Sequence, residues 1–328
     1  MRITRAVHEA STRNPAGIAI CAVFRDEAPY LAEWVEFHRL VGVEHFLLYD
    51  DCSADSSRQV LTPYERERLV SVRECPMSLA SGGQGLAYDD GLARARGRFR
   101  WLAFIDIDEF LFSPEHDSLS SVLVEFEQFP GVLVNWQVYG SSGLAGRPGG
   151  LVIESFTRRA PTGWVRNRRV KSIVDPERAL RSMGPHFFRY TAGDLAVTEN
   201  QEPVGAVRNS PVKRRLNRVL ARIPGVEVDP YAIRESSIQG VSVDHLRINH
   251  YAVRSRQEFV ENEHDILAIC DPWGIGSEME LRTADADALA HSSAELATLL
   301  TLSLSQLAKP AHTAHTSSSA TTCFSLPS

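Results

Sequence analysis

Two carboxylates one residue apart, Asp106 and Asp108, end the apolar run Trp101-Leu102-Ala103-Phe104-Ile105. A run of that length bounded by polar residues reads as a buried strand, with a piece of buried helix as the competing reading. Side chains alternate along a strand, so Asp106 and Asp108 are expected on one face of its C-terminal end and Ile107 on the other. Like charges so close repel unless a cation lies between them. Oxygen ligands of this hardness suit Mg2+ or Mn2+, ions that keep waters and complete their shells with a substrate's phosphates. The expected chemistry is one divalent ion and one phosphate-bearing substrate. For an isolated Asp-x-Asp the plainer reading, two solvated carboxylates capping a strand, would win. The second copy, Asp285-Ala286-Asp287, lies in Ala-rich helix-favouring sequence, where residues i and i+2 do not face each other and cannot share an ion.

The elements that would position such a site lie on both sides. Ile18 to Phe24 is a continuous apolar run of the kind a doubly covered parallel sheet requires. It stops at Arg25-Asp26-Glu27-Ala28-Pro29, a helix start. Leu31, Trp34, Val35 and Leu40 then fall at helical spacing and Gly42 closes the helix. A second strand, Val43 to Tyr49, leads into Asp50-Asp51, completing a βαβ unit. Ligands of open α/β sheets bind beyond the carboxyl ends of the strands, and three such ends carry polar clusters: Arg25-Asp26-Glu27, Asp50-Asp51 and Asp106/Asp108. Asp55 and Ser56 read as helix N-caps.

Farther along, residues 61–73 read as a helix leading into a weak strand, and residues 86–96 as a helix feeding the Asp106 strand. Between them the loop Ser78 to Gly85 has glycines that could cradle a phosphate, but it is no Gly-x-Gly-x-x-Gly or Walker pattern. Residues 119–129 are amphipathic, and Val132 to Tyr139 is a further strand that opens into Gly140-Ser141-Ser142-Gly143. Trp136 and Tyr139 beside Ser141 and Ser142 suit a sugar, whose apolar face stacks on rings while its hydroxyls find polar partners. An ordinary core Trp followed by a Gly/Ser turn explains them equally well. Residues 158–189 carry nine Lys and Arg against Asp175 and Glu177, mostly expected on solvated surface. A second basic segment, residues 213–222, sets Arg214, Arg218 and Arg222 on one helical face. It is expected to be a solvated face, with docking on anionic lipid as the alternative. Residues 241–251 are strand-like and contain Asn249-His250-Tyr251, with a helix expected over 256–268.

With 328 residues, 43% of them hydrophobic, the chain can bury one large core. The expected division is a flexible lead-in over 1–16, an α/β catalytic domain over 17–275, and a tail helix with a low-complexity end over 276–328. A formal charge of −6 argues against nucleic acid as a partner. Five cysteines, odd in number and without a Cys-x-x-Cys pair, read as reduced thiols. No apolar run is long enough to span a bilayer. The expectation is a cytoplasmic protein, at most peripheral at the inner membrane face.

The residues in order also match a family. Cys21-Ala22-Val23-Phe24-Arg25-Asp26-Glu27, Tyr30-Leu31 with Glu33-Trp34 and His38, Gly42-Val43 and Phe46, and Tyr49-Asp50-Asp51 with Ser53 and Asp55 form its opening. Gln84, Tyr88, Trp101, Phe104 to Phe110, Trp136, Tyr139 to Gly143, Lys171-Ser172-Ile173-Val174, His186, and His250-Tyr251 with Ser255 and Glu258-Phe259 continue it. Over about residues 18–265 the chain resembles glycosyltransferase family 92 and its bacterial family 2-like relatives. The resemblance implies a GT-A fold, a Rossmann-like mixed sheet flanked by helices. It also implies a nucleotide-sugar donor and a Mn2+ or Mg2+ ion held by Asp106 and Asp108, with His250 as a third ligand. Asp50 and Asp51 would contact the nucleoside, and Lys171 would neutralise phosphate. Arg25, Glu27 and Gln84 would complete the donor site. Asp194 and His186 are the candidates for the base that activates an acceptor hydroxyl, in a glycan or lipid-linked acceptor, in an inverting displacement. Two other readings stay open: a nucleotidyltransferase or phosphohydrolase on the same ion, and a non-catalytic glycan-binding module.

Overall fold

The computed structural model describes residues 17–79, 82–191, 194–204, 238, 240–261 and 282–283. The expected tail helix, the low-complexity end, the lead-in and the basic segment at 213–222 lie outside the described residues.

The first apolar run is strand β1 (Ile18–Phe24). Helix α1 (Ala28–Leu40) follows, then strand β2 (Val43–Asp50), helix α2 (Ser57–Arg66) and strand β3 (Val70–Glu74). Helix α3 (Gly83–Ala95) leads to strand β4 (Trp101–Phe104). The apolar stretch that reads as one strand through Phe110 is broken. It leaves β4 at Phe104, turns over residues 105–108, and resumes as a separate strand, β5 (Glu109–Phe112). Asp106 and Asp108 therefore sit on a turn, and the alternation of a strand does not set their directions. The reason is tertiary: β4 pairs with β1, whereas β5 lies at the far edge of the sheet against β12.

Helix α4 (Leu119–Leu123) and a 3-10 turn (Val124–Phe126) precede strand β6 (Gly131–Val138). Next come α5 (Val152–Ser155), β7 (Arg158–Arg159), β8 (Val170–Val174), β9 (Ala179–Ser182), β10 (Phe188–Tyr190), β11 (Val197–Thr198), β12 (Arg247–His250), α6 (Arg256–Glu261) and β13 (Arg282–Thr283). The main sheet runs β3-β2-β1-β4-β8-β6-β12-β5, with β11 also on β6. β3, β2, β1 and β4 are mutually parallel, β8 is antiparallel to both β4 and β6, and β12 is parallel to β6 but antiparallel to β5. This is the mixed, helix-flanked α/β sheet that the resemblance implies.

β1 shows why the sheet is covered on both faces. Ile18, Ile20, Ala22 and Phe24 enter the core that holds Trp34, Phe37 and Phe46, while Ala19, Cys21 and Val23 enter a second core with Tyr88, Leu92 and Phe104. The strand directions have a further consequence. The C-terminal ends of β1, β2, β4, β6 and β12 and the N-terminal ends of β5 and β8 all open on one edge of the sheet, where ligands of such sheets bind.

A candidate active site at the sheet edge

The turn after β4 is held from below. Trp34 of α1 is fully buried, and its Nε1–H donates to the carbonyl oxygens of Asp106 at 3.1 Å and Glu109 at 2.8 Å. One turn on, His38 Nδ1–H donates to Trp34 O at 2.7 Å, and its Nε2 accepts the Leu111 amide at 3.0 Å. Burial holds the His38 ring neutral, its pKa pulled down to about 3 against the opposing pull of the Trp34 carbonyl. α1 thus fastens both the turn and β5.

Above this strut the two aspartates part company. Lys171, fully buried on β8, reaches Asp106 Oδ2 at 2.5 Å and Glu109 Oε2 at 3.4 Å. Asp106 Oδ1 accepts from Gln84 Nε2 at 3.2 Å and from Tyr88 Oη at 3.4 Å. Asp108 instead meets His250, whose Nε2 lies 3.2 Å from Oδ2. Burial works against the charged form of Asp108. The charge and hydrogen bond of His250 outweigh it, helped by Arg254 and Lys171, and hold this carboxyl well below the usual range. Burial raises Glu109, Asp106 and Asp108 add to the effect, and Lys171 opposes it.

The donor set fits a divalent ion. Asp108, Glu109 and His250 each offer a ligand atom within 4.8 Å of the others. Glu109 Oε1 and His250 Nδ1 are buried without a hydrogen-bond partner, an arrangement costly unless something polar completes it. Carboxylates and one imidazole suit Mn2+ or Mg2+. Asp106, whose oxygens accept from Lys171, Gln84 and Tyr88, is not part of this group. Of the expected ligands Asp106, Asp108 and His250, the last two converge here, together with Glu109.

The profile of glycosyltransferase family 92 matches residues 15–217, more than half of the chain. The chain belongs to glycosyltransferase family 92. A family 92 protein of Oryza sativa subsp. japonica is 30% identical over 168 residues, which are 50% of this chain and 28% of that protein. A galactan beta-1,4-galactosyltransferase of Arabidopsis thaliana is 31% identical over 106 residues, 30% of this chain and 20% of that protein. The matches thus span about a third or less of the curated relatives' own length. Among solved structures, S. aureus TarS 1-349 in complex with UDP-GlcNAc overlaps 66% of this chain and 69% of that one at 12% identity, with a TM-score of 0.34, too loose an overlap to add to the assignment.

In this family 92 chain the other expected residues divide. Arg25, Glu27, Asp50 and Asp51 lie at the same sheet edge. Asp51, buried, accepts the Leu79 amide at 3.2 Å and lies 3.7 Å from Arg25 Nη1. Asp50 accepts the Ser53 amide at 2.8 Å and shapes its own turn. Asp55 caps two helices at once, accepting the amides of Ala28 and Ser57. His186 stands by the cluster, its ring 5.6 Å from Trp136. Its Nδ1–H donates to Val170 O at 2.8 Å, so Nε2 carries the lone pair. Burial, then the charge of Lys171, keeps this imidazole far below its ordinary pKa and therefore neutral.

Two expectations are corrected. Asp194 is not brought to the cluster. Its carboxylate pairs with Arg178 at 2.8 Å, and Arg178 also bonds Gln128 O, just before β6 begins, at the opposite end of the strands from Lys171. Trp136 and Tyr139 do not offer open faces for a sugar. Trp136 is 3% exposed with His250 4.2 Å and the Arg169 guanidinium 5.5 Å from its ring, and Tyr139 is buried 4.7 Å from Tyr251. Ser141 and Ser142 spend their hydroxyls on the turn, accepting the amides of Gly143 and Arg158. The basic stretch is mostly exposed or half-buried, as expected, with Arg166, Arg169 and Lys171 buried.

Not expected from the sequence were Glu109 in the converging group, Trp34 and His38 as struts, and Arg254. Glu109 had a signal, a third carboxylate directly after Asp108. Trp34 and His38 stood in the family pattern, but neither they nor Arg254 carried a sign of their partners, because those contacts cross from one element to another.

Proposed function

We propose that the chain is a metal-dependent glycosyltransferase. It would move a sugar from a nucleotide-sugar donor to a hydroxyl of a glycan or lipid-linked acceptor, with inversion. Family membership supports the reaction class. The observation that carries the metal and donor is the convergence of Asp108, Glu109 and His250 beside buried Lys171, at the sheet edge where α/β folds bind ligands.

Asp108, Glu109 and His250 would hold the ion, which when bound supplies positive charge against the negative charge developing on the departing nucleoside diphosphate. Lys171 has a second task. Burial disfavours its charge, but Asp106 and Glu109 outweigh burial and keep it an ammonium, so it balances an acidic cluster that would otherwise repel a phosphate. Gln84, bonded to Asp106 and Tyr88, fixes the orientation of the Asp106 carboxylate. His186, neutral with Nε2 free, is the base candidate for the acceptor hydroxyl. Asp194, held by Arg178 at the other end of the strands, drops out.

The test is donor turnover with a panel of UDP- and GDP-sugars, with and without Mn2+, in the intact chain and in Asp108→Asn. The reading requires Mn2+-dependent release of free nucleoside diphosphate that Asp108→Asn abolishes. Release of pyrophosphate or inorganic phosphate, or binding of a glycan with no response to nucleotide or metal, would overturn it.

A further inference from the structure

Arg254 follows β12 in a left-handed backbone conformation, φ 50°, which residues other than glycine seldom adopt and which clusters at functional sites. Its side chain is only 7% exposed. The guanidinium lies 3.6 Å from the centroid of the Tyr30 ring and donates from Nη2 to Glu27 Oε2 at 3.0 Å. Among the described residues the other guanidinium nitrogens, Nε and Nη1, have no hydrogen-bond partner. Neither of these nitrogens is cut off from solvent, so both stay open to an incoming acceptor. Here a ring and a carboxylate fix the plane of the fork while two nitrogens wait.

The surroundings say what would fill them. The segment is tied to the metal cluster by the Tyr251 amide, which donates to Asp108 O at 2.8 Å. Glu27 follows β1 at the same sheet edge, so the Arg254–Glu27 pair ties the segment after β12 to the end of β1. Beside two carboxylates and an imidazole that converge as a candidate cation site, an open guanidinium fork matches the paired oxygens of a diphosphate.

We propose that Arg254 is a donor-binding residue that grips the diphosphate of the nucleotide-sugar, with Glu27 and Tyr30 as its positioning residues. This rests on the glycosyltransferase reading above. The bland alternative is a structural one, in which Arg254 merely neutralises Glu27 and ties down the segment after β12.

Calorimetric titration of the full chain with UDP and GDP in Mn2+, and then with the matching nucleoside, separates them. In Arg254→Gln the diphosphate is expected to bind roughly ten- to a hundredfold more weakly, and the nucleoside within about twofold of the parent. Arg254→Lys keeps a cation on Tyr30 but loses the fork, and is expected to fall between the two, which keeps the proposal testable if the Gln variant does not fold. Equal losses for diphosphate and nucleoside, or unchanged diphosphate binding in a folded variant, would overturn the Arg254 assignment alone. If the parent chain binds neither UDP nor GDP, the glycosyltransferase reading fails and takes this assignment with it.

Discussion

Asp108 and Asp106 differ by two positions in sequence and by all of their partners in space. Asp108 faces His250 and Asp106 faces Lys171, so their substitutions should have different signatures. Asp108→Asn removes a charged ligand from the triad and is expected to lower Mn2+-dependent turnover by about a hundredfold or more, with the chain still folded by circular dichroism. Asp106→Asn takes a charge from Lys171 and is expected to affect Mn2+ affinity less than Asp108→Asn does, as isothermal titration with the metal would read. Lys171→Met leaves Glu109 buried beside Asp106 without its cation. Breaking a buried pair in this way costs about 3 kcal/mol or more, reduced here because the Asp106 side chain is 36% exposed. Urea unfolding is expected to show a loss of about 2–3 kcal/mol, on that basis.

At the scale of elements, α1 is the frame on which the turn is built. It carries Trp34 and His38, whose ring nitrogens hold Asp106, Glu109 and Leu111 by backbone groups. It also carries Glu33, whose two oxygens accept the amides of Val152 at 2.8 Å and Ile153 at 3.2 Å and so fasten the start of α5. Trp34→Phe keeps the ring but strips the donor from two carbonyls, a loss of about 1–3 kcal/mol. Because those carbonyls belong to the turn that presents Asp108 and Glu109, the same variant is expected to weaken Mn2+ binding, a readout that a simple core defect elsewhere would leave alone. The turn itself was misread from sequence for a reason at this scale. Trp101 to Phe110 is apolar enough to be one strand, but its two halves are claimed by different neighbours, β1 for the first and β12 for the second. Pairing partners are not written in a local pattern.

For the whole molecule, two buried groups on α1 set opposite pH trends. Burial drops His38 to about 3 in the folded state from an ordinary 6.5, so the unfolded chain binds a proton that the folded one refuses, and stability falls as pH drops below 6.5. Burial raises Glu33 to about 7 against the pull of the Val152 and Ile153 amides, so the folded chain keeps a proton that the unfolded one releases above 4.5. Stability from this group is full below that pH and is lost as pH rises through 7. Each slope amounts to about 1.4 kcal/mol per pH unit, and between about 4.5 and 6.5 they cancel. Glu33→Gln, which cannot titrate, is expected to unmask the His38 slope, so that its urea midpoint falls more steeply from pH 6.5 to 4.5 than that of the parent. A variant profile parallel to that of the parent would refute the opposition.

What the sequence determined by itself was the set of strand ends and their chemistry: the apolar runs of β1, β2 and β6, the helices between them, and the polar clusters at Arg25 to Glu27, Asp50-Asp51, Asp106 to Glu109 and His250. These follow from periodicity and breakers, which are local. The tertiary structure alone decided which of those groups meet. It brought Asp108 together with Glu109 and His250, gave Asp106 to Lys171, and sent Asp194 to the opposite end of the strands. It also closed the faces of Trp136 and Tyr139 and set Arg254 over Tyr30 against Glu27. The reason is physical: a side chain's partners across a sheet depend on strand order and direction, and no residue's type or spacing specifies the neighbour that a distant segment will bring.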